Sequence, residues 1–247
     1  MFGPFSLGEG FKKYFEVVHA TDEATRNCVY RIRHEVYCED LQYEPLNAEG
    51  KESDGFDHHS LHCLLRKSDS AHDLVGCSRL VLAQQDGEDF ELPFERVCVD
   101  SIDRAIVDPA RLPRKRIAEV SRLAVRGPYR KRKNERNTSL SINRDDFGTA
   151  EQPRFPYIPV GLYLGTLAIA HRREIDTLFV LTEPRLATHF ARIGVKIVPI
   201  GSPIEHHGLR LPSVMHVPEI VSELRTFIRP IWTAINEQID RHAKQSR

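Results

Sequence analysis

The stretch IAEVSRLAV (117–125) sets Glu119 and Arg122 in an apolar run of strand type. A carboxylate in such a setting is unusual, because removal from water disfavours its charged form and raises its pKa. Two readings follow: a buried acid paired with an arginine for structure, or a general base suited to accepting a proton near neutral pH. A spacing of three puts the two side chains on opposite sheet faces unless a bulge intervenes. A second set joins Asp54 and Asp57, three apart in a polar loop, to Arg79 in the strand-like LVGCSRLVL. That set reads either as a salt-bridge network, which needs full hydrogen bonding if buried, or as a device that positions the ammonium or carboxylate of an amine. Arg33 and Tyr37 are four apart on a helix and emerge side by side, so they can line a site.

Other reactive side chains point elsewhere. His58, His59 and His62 lie near Asp54 and Asp57, but side chains at 59 and 62 of a strand face opposite ways, so no metal site is expected. His206 and His207 read as surface loop residues. The five cysteines, Cys28, Cys38, Cys63, Cys77 and Cys98, show no CxxC spacing and read as free thiols, with Cys63 and Cys77 in the core.

The elements that must carry these groups alternate in type. FEVVHA (15–20) reads as a strand, then Thr21 caps a helix to about Tyr37 with Cys28 or Val29, Ile32 and Val36 inward. A polar loop over 38–58 leads into the strand HSLHCLLRK, followed by DLVGCSRLVLA and IAEVSRLAV. Then come helix GLYLGTLAIAHRR (161–173), strand TLFVLTE, helix PRLATHFARIG and strand VKIVPIG. The order suits an α/β fold with a mixed sheet sandwiched by helices, in one domain over 1–247. Between them, 127–157 is basic, poor in apolar periodicity, and reads as a mobile insertion. A C-terminal helical segment (218–242) places Ile220, Leu224, Phe227, Ile231, Ile235 and Ile239 at helical spacing, split or kinked at Pro230.

With 35 basic and 35 acidic residues, the chain has no bulk charge to draw it to nucleic acid or an anionic membrane. No apolar run reaches the roughly 20 residues of a spanning helix, and the start lacks a continuous signal core, so a cytoplasmic location is expected. Charge is local: Arg111 to Arg136 holds eleven basic residues against Glu119 and Glu135. Such a patch is either a solvated loop or a docking face for an acidic partner; it lacks the interleaved aromatics of an RNA platform.

Taken together, these positions resemble the acyl-homoserine lactone (autoinducer) synthases and the N-acyl amino acid synthases, both GNAT-like. Arg33 and Tyr37 stand for the family's RxxxF, Tyr43 for its tryptophan six residues later, Asp54 and Asp57 for D-x-x-D, Arg79 for the strand arginine, and Glu119, Ser121 and Arg122 for E-x-S/T-R. Over more of the chain, YRIRHEVYCEDLQYEP, DGFDHHSLHCLL, EVSRLAV and HFARIGVKIVPIG resemble the acyltransferases associated with PEP-CTERM/exosortase systems. The resemblance implies a GNAT-like, mostly antiparallel sheet sandwiched by helices. It also implies an N-acyltransferase that takes a fatty acyl group from an acyl-phosphopantetheine thioester, on acyl carrier protein or CoA. Glu119 and Arg122 would be catalytic, and Arg33, Tyr37, Tyr43, Asp54, Asp57 and Arg79 would bind the acceptor. Arg130, Lys131, Arg132 and Lys133 would dock the carrier, with no tightly bound cofactor. Tyr43 in place of tryptophan, and the insertion after Val125, favour an amino acid or similar small amine over S-adenosylmethionine as acceptor.

Overall fold

The computed structural model describes residues 7–69, 71–130, 155–191 and 194–245. Its centre is an eight-stranded sheet in the order β1-β2-β3-β6-β7-β10-β8, with β9 paired to β10. The strands are β1 (Phe15–His19), β2 (Ser60–Lys67), β3 (Leu74–Leu82), β6 (Ile117–Val125), β7 (Thr177–Thr182), β8 (Val198–Pro199), β9 (Ile204–Glu205) and β10 (Leu209–His216). β4 (Gln84–Gln85) and β5 (Glu88–Asp89) form a separate small hairpin. Every pairing in the large sheet is antiparallel except β6 with β7. This is the mixed sheet that the residue pattern implied, and the mostly antiparallel, GNAT-like one that the family resemblance implied.

Helices cover both faces. On one lie α1 (Leu7–Tyr14), α4 (Tyr157–Arg172), α6 (Val217–Glu223) and α7 (Arg229–Gln245), and on the other α2 (Glu23–Arg33) and α3 (Pro93–Val97). The short α5 (Pro184–Ala191) follows β7. Helix α4 is apolar all round, and twelve consecutive-register positions from Pro159 to Ala170 are buried, as expected of a helix enclosed by sheet and neighbours. Glycines on its sheet side allow a close approach: a Cβ at Gly165 would lie 2.7 Å from Cys63 Sγ and 2.9 Å from Val17 Cγ1. Gly165→Ala is therefore expected to destabilise the fold by about 1–3 kcal/mol through overpacking, measured by urea unfolding. Among the described residues no helix is long and apolar enough to cross a membrane.

Several expectations shift in detail. Asp22, not Thr21, caps α2, its carboxylate accepting from the Thr25 N–H at 2.8 Å. The helix then passes into a π-helical turn, His34–Asp40. Helix α4 begins at Tyr157, inside the stretch read as insertion. The C-terminal segment is two helices, and Pro230 sits in the first turn of the second, where its missing N–H costs no hydrogen bond. Phe227, expected on the apolar stripe, is exposed, while Ile228 is buried in its stead because the break between the helices shifts the register.

Strand β10 was not legible as a strand. Pro212 interrupts it, yet it pairs with β7 over six residues. The Pro212 carbonyl accepts from Ile200 N–H on the β8 side, so the donor that proline lacks would have pointed to that short outer edge and not into the β7 ladder.

Candidate active site

Glu119 and Arg122 share a face because β6 is bulged. Opposite β3, the step from Cys77 to Arg79 spans two residues, whereas the matching step on β6, from Ala124 to Ser121, spans three. Arg122 takes up the extra residue with a left-handed φ of 50°. Glu119, Ser121, Arg122 and Ala124 accordingly point to the side of α2 and α3, while Ala118, Val120, Leu123 and Val125 pack under α4.

Strands β6 and β7 pair only through Ile117–Val120 and Thr177–Val180, then diverge. A cleft of about 340 Å³ opens there, walled by Ser121, Arg122 and Leu123 on one strand and by Val180, Leu181 and Thr182 on the other. Its deeper part is apolar, formed by Tyr163, Leu186, Phe190, Ile197 and Met215. Glu119 lies in its wall, 6% exposed, with Oε2 accepting from the Phe94 N–H at 2.6 Å. Burial raises its pKa to about 7, against the Phe94 hydrogen bond and the charges of Arg79 and Arg122, which pull it down. A larger cavity, about 580 Å³, lies beyond the Asp54–Asp57 loop beside α2 and the end of α4. No described β6 residue lines it, so it does not reach Glu119.

Arg33, Asp54, Asp57, Arg79 and Arg122 converge on one ionic network, of which Asp54, Arg79 and Arg122 line the cleft. Arg33 is fully buried and donates to Glu52 and, through both terminal nitrogens, to Asp57 at 2.6 and 3.1 Å. Arg79 is 2% exposed and donates to Asp54 at 2.6 Å, Asp57 at 3.1 Å and Ser121 Oγ at 3.1 Å. Arg122 reaches Glu44 at 3.0 Å and Asp54 at 3.2 Å, contacts Glu52, and lies over the Tyr37 ring. Burial alone would raise Asp57, but Arg33 and Arg79 overrule it and hold its carboxyl well below the ordinary range. Arg33 therefore stands behind Asp57 and Glu52 and does not line the cleft. Of the three arginines only Arg122 keeps appreciable exposure, at 23% of its side chain.

Tyr37 donates to the Leu123 carbonyl at 3.0 Å on the bulged strand. Tyr43 lies between Tyr37, 6.5 Å away, and His207, whose ring stacks on it at 4.3 Å and 16°. His206 and His207 enter the cleft wall from the β9–β10 turn and Arg210 from the start of β10. His206 and His207 read as surface loop residues in sequence and Arg210 carried no role, so these three were missed, as were Glu44 and Glu52, isolated acids in a polar stretch. Arg130 is paired with Asp40. Lys131, Arg132 and Lys133, with most of the 127–157 segment, lie outside the described residues. Cys63 and Cys77 are buried, with thiols pushed up to about 12 by burial, which suits core residues and not nucleophiles. The His58 and His59 rings meet edge to face at 4.3 Å, and His62 Nε2 lies 3.7 Å from Asp57.

The sheet, its bulge and its divergent parallel pair define a fold of the GNAT type. Residues 32–138, which carry the network from Arg33 to Arg122, match the acetyltransferase (GNAT) domain model. Solved structures similar to the chain include the CoA-dependent acyl-homoserine lactone synthase MesI, with 19% identity over 87% of this chain and 94% of that one and a TM-score of 0.57. The AHL synthase LasI gives 13% identity, 86% and 96% coverage and a TM-score of 0.53. FeeM, an N-acyl amino acid synthase from uncultured soil microbes, gives 17%, 85% and 94%, and 0.52. At these identities the likeness is one of fold. No curated protein matches the sequence.

Proposed function

We propose that the chain is an N-acyltransferase that moves a fatty acyl group from a phosphopantetheine thioester, on acyl carrier protein or CoA, to an amino acid or similar small amine. The observation that carries this reading is Glu119, buried beside an apolar channel, with a pKa of about 7. An amine of pKa about 8 or above is mostly ammonium at neutral pH and cannot attack until it loses a proton. Glu119 takes that proton, directly or through water. The amine nitrogen then forms its bond to the thioester carbonyl carbon, the C–S bond breaks, and the thiol leaves. Backbone N–H groups on the diverging edge of β6 supply donors for the oxyanion. The apolar end of the cleft receives the acyl chain.

The acceptor side carries three arginines against Glu44, Glu52, Asp54 and Asp57, an excess of one negative charge that suits an ammonium. Within the network an acceptor carboxylate finds its most accessible fork at Arg122, where it would exchange with Glu44. His207 covers the face of Tyr43 that a sulfonium would need, which favours an amino acid over S-adenosylmethionine. The basic run Arg130, Lys131, Arg132 and Lys133 is assigned to carrier docking by its charge.

The test is a competition assay with acyl carrier protein and CoA donors, offered equal S-adenosylmethionine and mixed amino acids, with products read by mass spectrometry. Acylated amino acids are expected. A predominant acyl-homoserine lactone, or no transfer from either donor, overturns the reading.

A further inference from the structure

We propose that Arg114 is a positioning residue for Glu119, acting through the first turn of α3; the proposal rests on Glu119 as the base of the reaction above. Arg114 does not line the cleft, yet hydrogen bonds to Glu95 and the Leu92 amide, joined by the backbone of Leu92–Phe94 to the Phe94 amide, lead from it to the base. Its Nη1 and Nη2 donate to the two oxygens of Glu95 at 2.9 and 2.8 Å, and Nη2 also donates to the Phe90 carbonyl. Glu95 Oε2 in turn accepts from the Leu92 N–H at 2.8 Å, which closes the turn that starts α3. Closing that turn aims the next free amide, Phe94 N–H, at Glu119 Oε2, 2.6 Å away.

The clamp suits this task in three respects. A two-pronged guanidinium–carboxylate pair fixes direction as well as distance, which a lysine ammonium cannot do. The pair is mostly sheltered, at 17% and 15% exposure, so water competes weakly for it. Arg114 also opens the single 3₁₀ turn Arg114–Arg116 that runs directly into β6, so one short piece of chain carries both the clamp and the base. The consequence for Glu119 is chemical. The Phe94 amide bonds the ionised carboxylate, lowers its pKa against the pull of burial, and pins Oε2; among the described residues Oε1 accepts no hydrogen bond.

Glutamate carboxyl titration followed by NMR on ¹³C-labelled protein, with Glu119 assigned by its Gln variant, reads the effect without turnover. In Arg114→Ala the Glu119 midpoint is expected to rise by about one pH unit, the size of a weakened hydrogen bond to a charged group. The acid limb of kcat/KM should move with it, kcat at pH 7 should fall about fivefold as the ionised fraction drops, and KM for both substrates should stay within twofold. Glu95→Gln keeps an acceptor for Leu92 N–H but weakens the clamp, and should give a smaller shift of the same sign; Arg114→Lys should restore little. An unmoved midpoint in folded Arg114→Ala and Glu95→Gln overturns the proposal. A midpoint that moves in a protein showing no acyl transfer would retain the clamp and overturn the assigned reaction instead.

Discussion

Glu119→Gln is expected to lower kcat by about 10²–10⁴-fold, the usual worth of a general base, while making the protein more stable at pH 8. The sign follows from linkage. The unfolded-state carboxyl titrates near 4.5 and the folded one at about 7. Below 4.5 both states hold the proton and Glu119 contributes no pH dependence. As pH rises from 4.5 to 7 the unfolded state releases it first, so wild-type stability falls, and above 7 the full difference applies. A gap of roughly 2.5 units corresponds to about 3 kcal/mol, an upper figure for a single buried group. The amide oxygen of Gln can still accept from Phe94 N–H, so the variant keeps the hydrogen bond and loses only the cost of burying charge. Urea unfolding at pH 4 and pH 8 checks this: the two proteins should match at pH 4 and diverge at pH 8. Equal stability at both would show that burial does not hold Glu119 protonated, and would remove it as a base tuned to neutral pH.

Loss of Arg33 should produce the largest destabilisation at the site. Arg33→Met leaves Asp57 with Arg79 alone and Glu52 with only the part-exposed Arg122, the two acids being 6% and 7% exposed, and removing one partner of such a set costs about 3–5 kcal/mol. Lysine should rescue little, because one ammonium cannot engage Glu52 through one edge and Asp57 through another as the guanidinium does. Thermal and urea unfolding measure the loss, and a change under 1 kcal/mol would show that the network is well hydrated in solution. Activity should fall as well, because Asp57 also holds Arg79, and Arg79 holds Ser121 on the bulged strand.

What the residues alone revealed divides along physical lines. Strands β2, β3 and β6 and the inner face of α2 were legible because each buries a regular stripe, and periodicity is a local property. The acidic and basic members of the network were legible in part, since Arg33, Asp54, Asp57, Arg79 and Arg122 stand at a recognisable spacing. Glu44 and Glu52 were not, because they sit singly in a polar loop and gain their meaning only when Arg122 and Arg33 arrive from other elements. His207 and strand β10 were lost together. A proline at 212 argues against a strand, and only the position of β8 shows why the sheet tolerates it.

The bulge at Arg122 has a bearing on how this chain can vary in length. It works as a reading-frame marker for the strand: one residue inserted relative to the β3 partner lets acid and arginine, three apart, look the same way. Deleting Arg122 would not simply remove a guanidinium. It would rotate Leu123, Ala124 and Val125 by half a turn relative to the sheet, presenting Leu123 to α2 and Ala124 to α4. By contrast, replacing Arg122 with glycine, which adopts a positive φ freely, would keep the frame and lose only the charge. The two changes, identical in the side chain they remove, separate the arginine's electrostatic part from its part in keeping the strand in phase.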